Sequence, residues 1–345
     1  MRYLSEIELL LKKGHVAILG SRRIGKTWLL RQIISRSGER EVPVYVAGDR
    51  LSISPENLAI EVIGNTLYSF YKGDYASYLD LGFLLSLKSR LTSPAAQALD
   101  TIANELQKIK PDQNLILRQA FGFPGLLDRK VLMVIDDFEN LFDLNNYSQV
   151  GDFLKLMNFN SGVKYVVTSS LVSESEKMLK QYFQVQKIEG LDKDEAASLI
   201  ESKLGKADAK TRQQITELSS NPFVIAALCD ALKSEKNVQK ALLDELLDTD
   251  SKLYRHFSEI YLASLSHARG QGLLKSILNV LSRFEGLTLT EISRKVFRSA
   301  PVTKSLLERL MSVDLVVRID GKFRFADPIL ARWVRANITT LKVPA

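Results

Sequence analysis

The chain has little of what anchors several common kinds of function. Its 345 residues include one cysteine, Cys229, so no internal disulfide can form, and three scattered histidines, His15, His256 and His267, that suggest no zinc or haem ligand set. No apolar run approaches the ~20 residues that a membrane span requires. Met1-Arg2-Tyr3 opens no secretory signal. The expectation is a cytoplasmic protein without a membrane partner. Cys229, next to the apolar run Val224–Leu228, reads as a small core residue. With 46% hydrophobic and 25% charged residues, the chain should be globular, with room for more than one core.

Net charge is also missing over most of the length. Residues 1–255 carry 33 basic and 33 acidic side chains, whereas residues 256–345 carry 14 and 7, so the whole excess of +7 lies in the last quarter. Such asymmetry points to a polyanion as the partner of the C-terminal part. A solvated basic surface without a partner is the alternative.

What is present is concentrated near the start. Residues 16–27 read Val-Ala-Ile-Leu-Gly-Ser-Arg-Arg-Ile-Gly-Lys-Thr, an apolar strand running into Gly-x-x-x-x-Gly-Lys-Thr and then into a helical apolar pattern at Leu29, Leu30, Ile33 and Ile34. This is a P-loop pattern. Gly20 and Gly25 allow the tight turn, and the backbone of Ser21, Arg22, Arg23 and Ile24 together with the helix start at Lys26, Thr27 and Trp28 would face a polyphosphate. Lys26 would bridge phosphates and the Thr27 hydroxyl would ligate Mg²⁺. A second apolar run, Val131–Ile135, ends in Asp136-Asp137. A strand buried on both faces has this composition, and its C-terminal end is where open α/β sheets bind ligands. Asp136 would hold Mg²⁺, and Asp137 would orient or deprotonate the attacking water.

The first ~190 residues alternate strand and helix, which implies βαβ units and a parallel sheet. Strands are expected at Val16–Leu19, Val42–Val46, Val131–Ile135, Tyr165–Thr168 and Phe183–Ile188, with helices at Trp28–Ser35 and Phe153–Asn158 among those between them. The stretch from Ser54 to Arg129 reads as several helices, and Tyr68, Tyr71, Tyr75 and Tyr78 within it as a packing surface. From Asp192 the pattern is helical, starting with a capping-box-like Asp192…Glu195 and broken at Ser220-Asn221-Pro222. The final segment shows a helical face at Leu274, Ile277, Leu281 and Phe284, a helix Glu291–Phe297 capped by Thr290, and a third helix opening at Pro301. Asp320-Gly321 between two β-rich runs is a hairpin signal. Three helices and a hairpin make a winged helix, on which Thr303, Lys304 and Arg309 would point outward while Arg318, Lys322 and Arg324 decorate the wing. The expected organisation is an α/β P-loop NTPase domain over 1–190, a helical lid over 191–255 and a winged helix over 256–345.

These pieces, in this order, resemble the archaeal ATPase group of AAA+ and STAND-type P-loop NTPases over essentially the whole chain. The likeness rests on the arginine-bearing loop Gly20–Thr27, on Ile135-Asp136-Asp137-Phe138-Glu139, on the strand end Val167-Thr168-Ser169-Ser170, on Ser219-Ser220-Asn221-Pro222-Phe223 and on the ending Phe323–Trp333. The resemblance implies ATP or ADP with Mg²⁺ as ligands, Thr168 as a polar sensor in catalysis, and Pro222 as the lid residue that meets the adenine base. Asp137 stands where the group usually has Glu, which would slow hydrolysis or shift the task to Glu139. Ser220 replaces the usual glycine before the lid proline. Two functions follow from different classes. One is an ATP-driven switch whose basic winged helix binds double-stranded DNA. The other is a STAND-type switch whose winged helix serves a protein client or a homo-oligomer. The C-terminal charge favours the first.

Overall fold

The computed structural model describes residues 2–37, 41–48, 54–146, 154–155, 162–268, 270–284 and 286–338. Two compact units divide the chain, one of residues 1–20, 25–170 and 175–188 and one of residues 21–24, 171–174 and 189–345.

The first unit is built on five parallel strands, β1 (Val16–Leu19), β2 (Val42–Ala47), β3 (Val131–Asp136), β4 (Val163–Ser169) and β5 (Gln184–Lys187), in the order β2-β3-β4-β1-β5. Every residue of β1 and β3 is buried, as continuous apolar runs in the interior of a parallel sheet require. The order places β4 between β1 and β3. Its register pairs Thr168 with Ile18 on one side, and Val167 with Ile135 on the other, so Thr168 arrives beside Asp136. β4 begins at Val163, two residues before the expected start, because Lys164 pairs with Leu132 and keeps its ammonium on Glu41.

Helix α1 (Arg2–Lys13) precedes β1, and α2 (Lys26–Arg36) follows it. Between β2 and β3 the chain forms α3 (Pro55–Tyr71), α4 (Leu81–Ser86), α5 (Ser93–Leu106) and α6 (Gln113–Gly122) with short 3₁₀ turns. Ser54 caps α3 and Thr92 caps α5, each followed by an early proline. This insertion has its own apolar cluster, in which Leu67, Leu99, Ile102 and Phe123 are buried with Tyr78. The Tyr68 ring meets Tyr75 at 5.3 Å and Tyr78 at 5.6 Å, so these rings pack on one another. The helix expected at Phe153–Asn158 lies outside the described residues except for Leu154 and Lys155, which are helical. α7 (Val172–Leu179) leads from β4 to β5.

The second unit is helical, with α8 (Lys193–Leu204), α9 (Ala209–Leu218), α10 (Pro222–Ala231), α11 (Val238–Leu247), α12 (Lys252–Ala268) and α13 (Gln271–Arg283). The Asp192–Glu195 capping box opens α8, and Asn221 caps α10 with Pro222 in its first turn. Cys229 is buried on α10, and burial pushes its thiol up to about 11, which leaves it inert at neutral pH. Beyond α13 come α14 (Leu289–Lys295), α15 (Ala300–Ser312), the antiparallel hairpin β6 (Val316–Ile319) and β7 (Lys322–Phe325), and α16 (Pro328–Asn337). Asp320 and Gly321 turn the hairpin with φ of 50° and 78°, the left-handed pair a two-residue type I′ loop needs. Leu287 adds a bridge to Phe323.

The cap of α14 differs from the expectation. Thr288 caps it, not Thr290, because only Thr288 has a glutamate three residues on: its hydroxyl accepts from Glu291 N–H while the Glu291 carboxylate accepts from Thr288 N–H at 2.7 Å. Thr303 also departs. It was expected to point outward, yet it is fully buried and its hydroxyl donates to the Ser299 carbonyl at 3.0 Å. The spacing Thr303, Leu306, Leu307, Leu310 is one helical stripe, and the threonine lies on the core side of it.

Candidate functional site

β1 delivers the chain to Gly20, whose N–H donates to the Ser169 carbonyl at 3.1 Å. Arg23 (φ 59°) and Gly25 (φ 110°) then take left-handed conformations. Left-handed residues in a loop before a helix are the kind of backbone that can turn N–H groups toward an anion. At Gly25 the constraint is φ, since an added Cβ would meet nothing within 4 Å. Lys26 follows at 5% exposure, and its ammonium donates to the Gly20 carbonyl at 2.8 Å and to the Ser170 hydroxyl at 3.0 Å. Trp28 stands half-exposed in the same helical turn.

Asp136, at 4% exposure, ends β3 with both carboxylate oxygens engaged. Oδ2 accepts from the Thr27 hydroxyl at 2.8 Å and the Tyr45 hydroxyl at 3.1 Å. Oδ1 accepts from the Asp137 N–H at 3.2 Å and from the buried Thr168 hydroxyl. The β2 end must come close for this. A Cβ at Gly48 would sit 2.4 Å from the Asp136 carbonyl oxygen, so only glycine fits. Asp137 itself has φ 48°, and its N–H also meets Thr168 Oγ1 at 3.0 Å.

Thr27 and Asp136 offer one hydroxyl and one carboxylate side by side, hard oxygen donors of the kind that hold Mg²⁺ when phosphates and waters complete its octahedron. Among the described residues no cluster of three His, Cys, Asp or Glu side chains would hold a metal by protein groups alone. The donor set therefore fits a cation shared with a phosphorylated ligand.

Glu139 is 1% exposed. Its Oε1 accepts from the Ser170 N–H at 3.0 Å, and its Oε2 has no hydrogen-bond partner among the described residues. A buried carboxylate thus stands behind the serine that holds Lys26. Sequence reasoning placed Glu139 behind Asp137 in rank and did not single out Ser170 or Tyr45. The polar ending Thr-Ser-Ser on an otherwise apolar strand was the available signal for Ser170.

The tip of the loop, Ser21–Ile24, is organised within the second unit. Asn221, which caps α10 by accepting from Phe223 N–H at 2.9 Å, donates through its side-chain amide to the Arg22 carbonyl at 3.2 Å. Pro222 is half-buried at the first turn of α10. The Arg23 guanidinium lies 4.5 Å above the Phe223 ring. Arg22 and Arg23 each donate to one oxygen of Glu259 on α12, at 2.7 and 3.0 Å. His256, one turn earlier on α12 and 2% exposed, has no hydrogen-bond partner for its Nδ1 among the described residues, and burial with help from Arg23 and Arg22 pushes its pKa down to about 3. Nothing in the sequence pattern pointed to Glu259.

The basic residues expected at a polyanion divide. Lys304 is exposed, 3.9 Å from Glu308. Arg318, Lys322 and Arg324 are exposed on the β6–β7 hairpin. Arg309 is half-buried, and its Nε donates to the Ala268 carbonyl at 2.8 Å, which makes it a tie to the end of α12. Phe297, between α14 and α15, is 86% exposed with φ 53°.

No protein-family model matches the chain, and no curated protein matches it. Solved structures do. The chain is similar to a Walker-type ATPase of Pyrococcus abyssi, with a TM-score of 0.64 at 17% identity over 96% of this chain and 94% of that one. It also matches a STAND protein with a tetratricopeptide repeat sensor from Pyrococcus horikoshii, with a TM-score of 0.39 at 17% identity over 97% of this chain and 41% of that one. A third match is the Aeropyrum pernix ORC1 protein in complex with DNA, with a TM-score of 0.43 at 12% identity over 98% and 91%. The first of these shows that the chain shares its fold over nearly the whole length of both proteins.

Proposed function

We propose that the chain binds ATP with Mg²⁺ at Gly20–Thr27, hydrolyses it slowly, and uses the exchange as a switch for a winged helix over residues 256–345 that binds double-stranded DNA. One observation carries the nucleotide reading: Lys26, Thr27, Asp136 and Thr168 converge through short hydrogen bonds at the C-terminal ends of β1, β3 and β4. The loop backbone and the Lys26 ammonium hold phosphate oxygens, and Thr27 and Asp136 hold the cation. Mg²⁺ there supplies charge neutralisation at the phosphates. Thr168 orients Asp136 by donating to it. Asp137 presents a carboxylate for the attacking water, one methylene shorter than glutamate, and no arginine finger is supplied by a neighbouring side chain identified in the sequence. Such a finger is worth about 10³–10⁵ in rate where it is used.

The DNA reading rests on Lys304, Arg318, Lys322 and Arg324, which are all exposed, and on the excess of positive charge in their segment. A duplex titration at two salt concentrations, with and without ATP, tests it. If these four side chains meet phosphates, log K falls against log salt with a slope of about −3.6. Salt-independent affinity, or no binding to any duplex at low salt, defeats it. The exposed Phe297 favours the second reading, in which this segment docks a protein client or another copy of the chain.

A further inference from the structure

We infer that Glu259 is a positioning residue for the proposed nucleotide site: an internal anion that holds Arg22 and Arg23 until phosphate oxygens replace it. The inference rests on the P-loop reading and adds to it the regulation of that site.

Arg22 and Arg23 sit at consecutive positions of the phosphate loop, and each gives one N–H to a different oxygen of the same carboxylate. A carboxylate shared in this way copies two oxygens of a phosphate group. The surroundings keep the arrangement in register. Arg23 is strained into φ 59° and stacked on Phe223, and the Arg22 carbonyl is tied to the Asn221 amide. His256 shares the Glu259 face of α12, three residues away, and is neutral at physiological pH. The two arginines and Glu259 therefore carry a net single positive charge, which leaves the pair able to attract a more highly charged anion.

The exchange is favourable because nothing is stranded by it. The Glu259 side chain is 46% exposed, and those of Arg22 and Arg23 are 29% and 40% exposed, so water takes over whichever group is released. A buried pair would resist exchange. Exposed pairs are weak and a polyphosphate carries more charge than one carboxylate, so the ligand wins the arginines. Contact between loop tip and α12 thus lasts only while phosphate is absent, which makes α12 the element that reads the state of the loop.

The experiment is calorimetric titration of the full chain with ATP and with ADP. Glu259→Gln should bind ATP about three- to tenfold tighter than wild type, the scale of two exposed ion pairs removed from competition. The paired change Arg22→Gln with Arg23→Gln should weaken ATP binding, and adding Glu259→Gln to it should change nothing further. Unchanged or weaker ATP affinity in Glu259→Gln overturns the inference, as does a Glu259→Gln effect that persists without the arginines. Lys26→Met separates the two readings. If wild type binds ATP, Lys26→Met does not, and Glu259→Gln equals wild type, the nucleotide site stands and the latch falls. If wild type binds no nucleotide, both fall.

Discussion

Replacing Lys26 with Met should separate folding from ligand binding, because the buried lysine donates to neutral oxygens that methionine leaves in place. The residue is 5% exposed, and the acceptors of its ammonium include the Gly20 carbonyl and the Ser170 hydroxyl. Taking such a cation out of water costs several kcal/mol even after relaxation. Two hydrogen bonds from a charged donor return about 1.5–3 kcal/mol each. The two effects nearly cancel, so Lys26→Met should change the stability of the free protein by no more than about 1 kcal/mol. In a domain of this size that is about 2–4 °C in the unfolding midpoint. Affinity for ATP should fall at least about tenfold, the scale of one charge-assisted phosphate contact. Thermal unfolding with and without ATP, together with calorimetry, reads both quantities. Wild-type affinity in Lys26→Met would refute the phosphate role. A stability loss above about 3 kcal/mol would show instead that the lysine is a structural tie.

Asp137→Asn should abolish ATP turnover in a phosphate-release assay and leave ATP affinity near wild type. If turnover survives there and is lost in Glu139→Gln, the water is activated by the buried carboxylate behind Ser170. Asp136→Ala should weaken Mg²⁺–ATP more than Mg²⁺-free ATP, measured by titration with and without the cation. Lys322→Ala with Arg324→Ala should reduce the salt slope of duplex binding by about 1.8, and an unchanged slope would remove the hairpin from the interface. His256, held down to about 3 against an ordinary 6.5, binds its proton in the unfolded chain first, so stability falls as pH drops through that window by about 1.4 kcal/mol per unit. His256→Leu should lose that dependence in unfolding midpoints taken from pH 7 to pH 4, and an identical slope in both proteins would contradict it.

Much of the first unit was legible because its strands are extreme in composition. β1 and β3 are unbroken apolar runs that end in chemistry, and they emerged with bounds within a residue of the expectation. The Asp320-Gly321 turn was equally plain, since few dipeptides tolerate two positive φ values. Misreadings came where one residue type serves several roles. Thr288 and Thr290 are both acceptable caps, and only the glutamate spacing chooses between them. Thr303 looks polar in a sequence, but its periodicity belongs to the buried stripe, where a hydroxyl is tolerated because it bonds to its own helix. Arg309 was counted as surface charge although its guanidinium is occupied by a backbone carbonyl.

The site was legible in its halves and illegible in its joins. Glu259 lies 237 residues from Arg22, Ser170 lies 144 from Lys26, and Asp136 lies 91 from Tyr45. No local pattern encodes such partners. What did carry information was the polar end of β4. An apolar strand between two others has no reason of its own to finish in Thr168-Ser169-Ser170, where hydroxyls must find partners in the interior. Each one does: Thr168 donates to Asp136, Ser169 accepts from the Ser175 hydroxyl, and Ser170 accepts from Lys26. Glu139 accepts from the backbone of the last of them. Thr168 and Ser170, two residues apart, thus engage Asp136 and Lys26, while Ser169 between them bonds to Ser175. A shift of β4 by one residue would turn the Thr168 side chain to the other face of the sheet and break its link to Asp136. The strand is buried along most of its length, and the register that its apolar residues enforce is the register that brings Thr168 to Asp136.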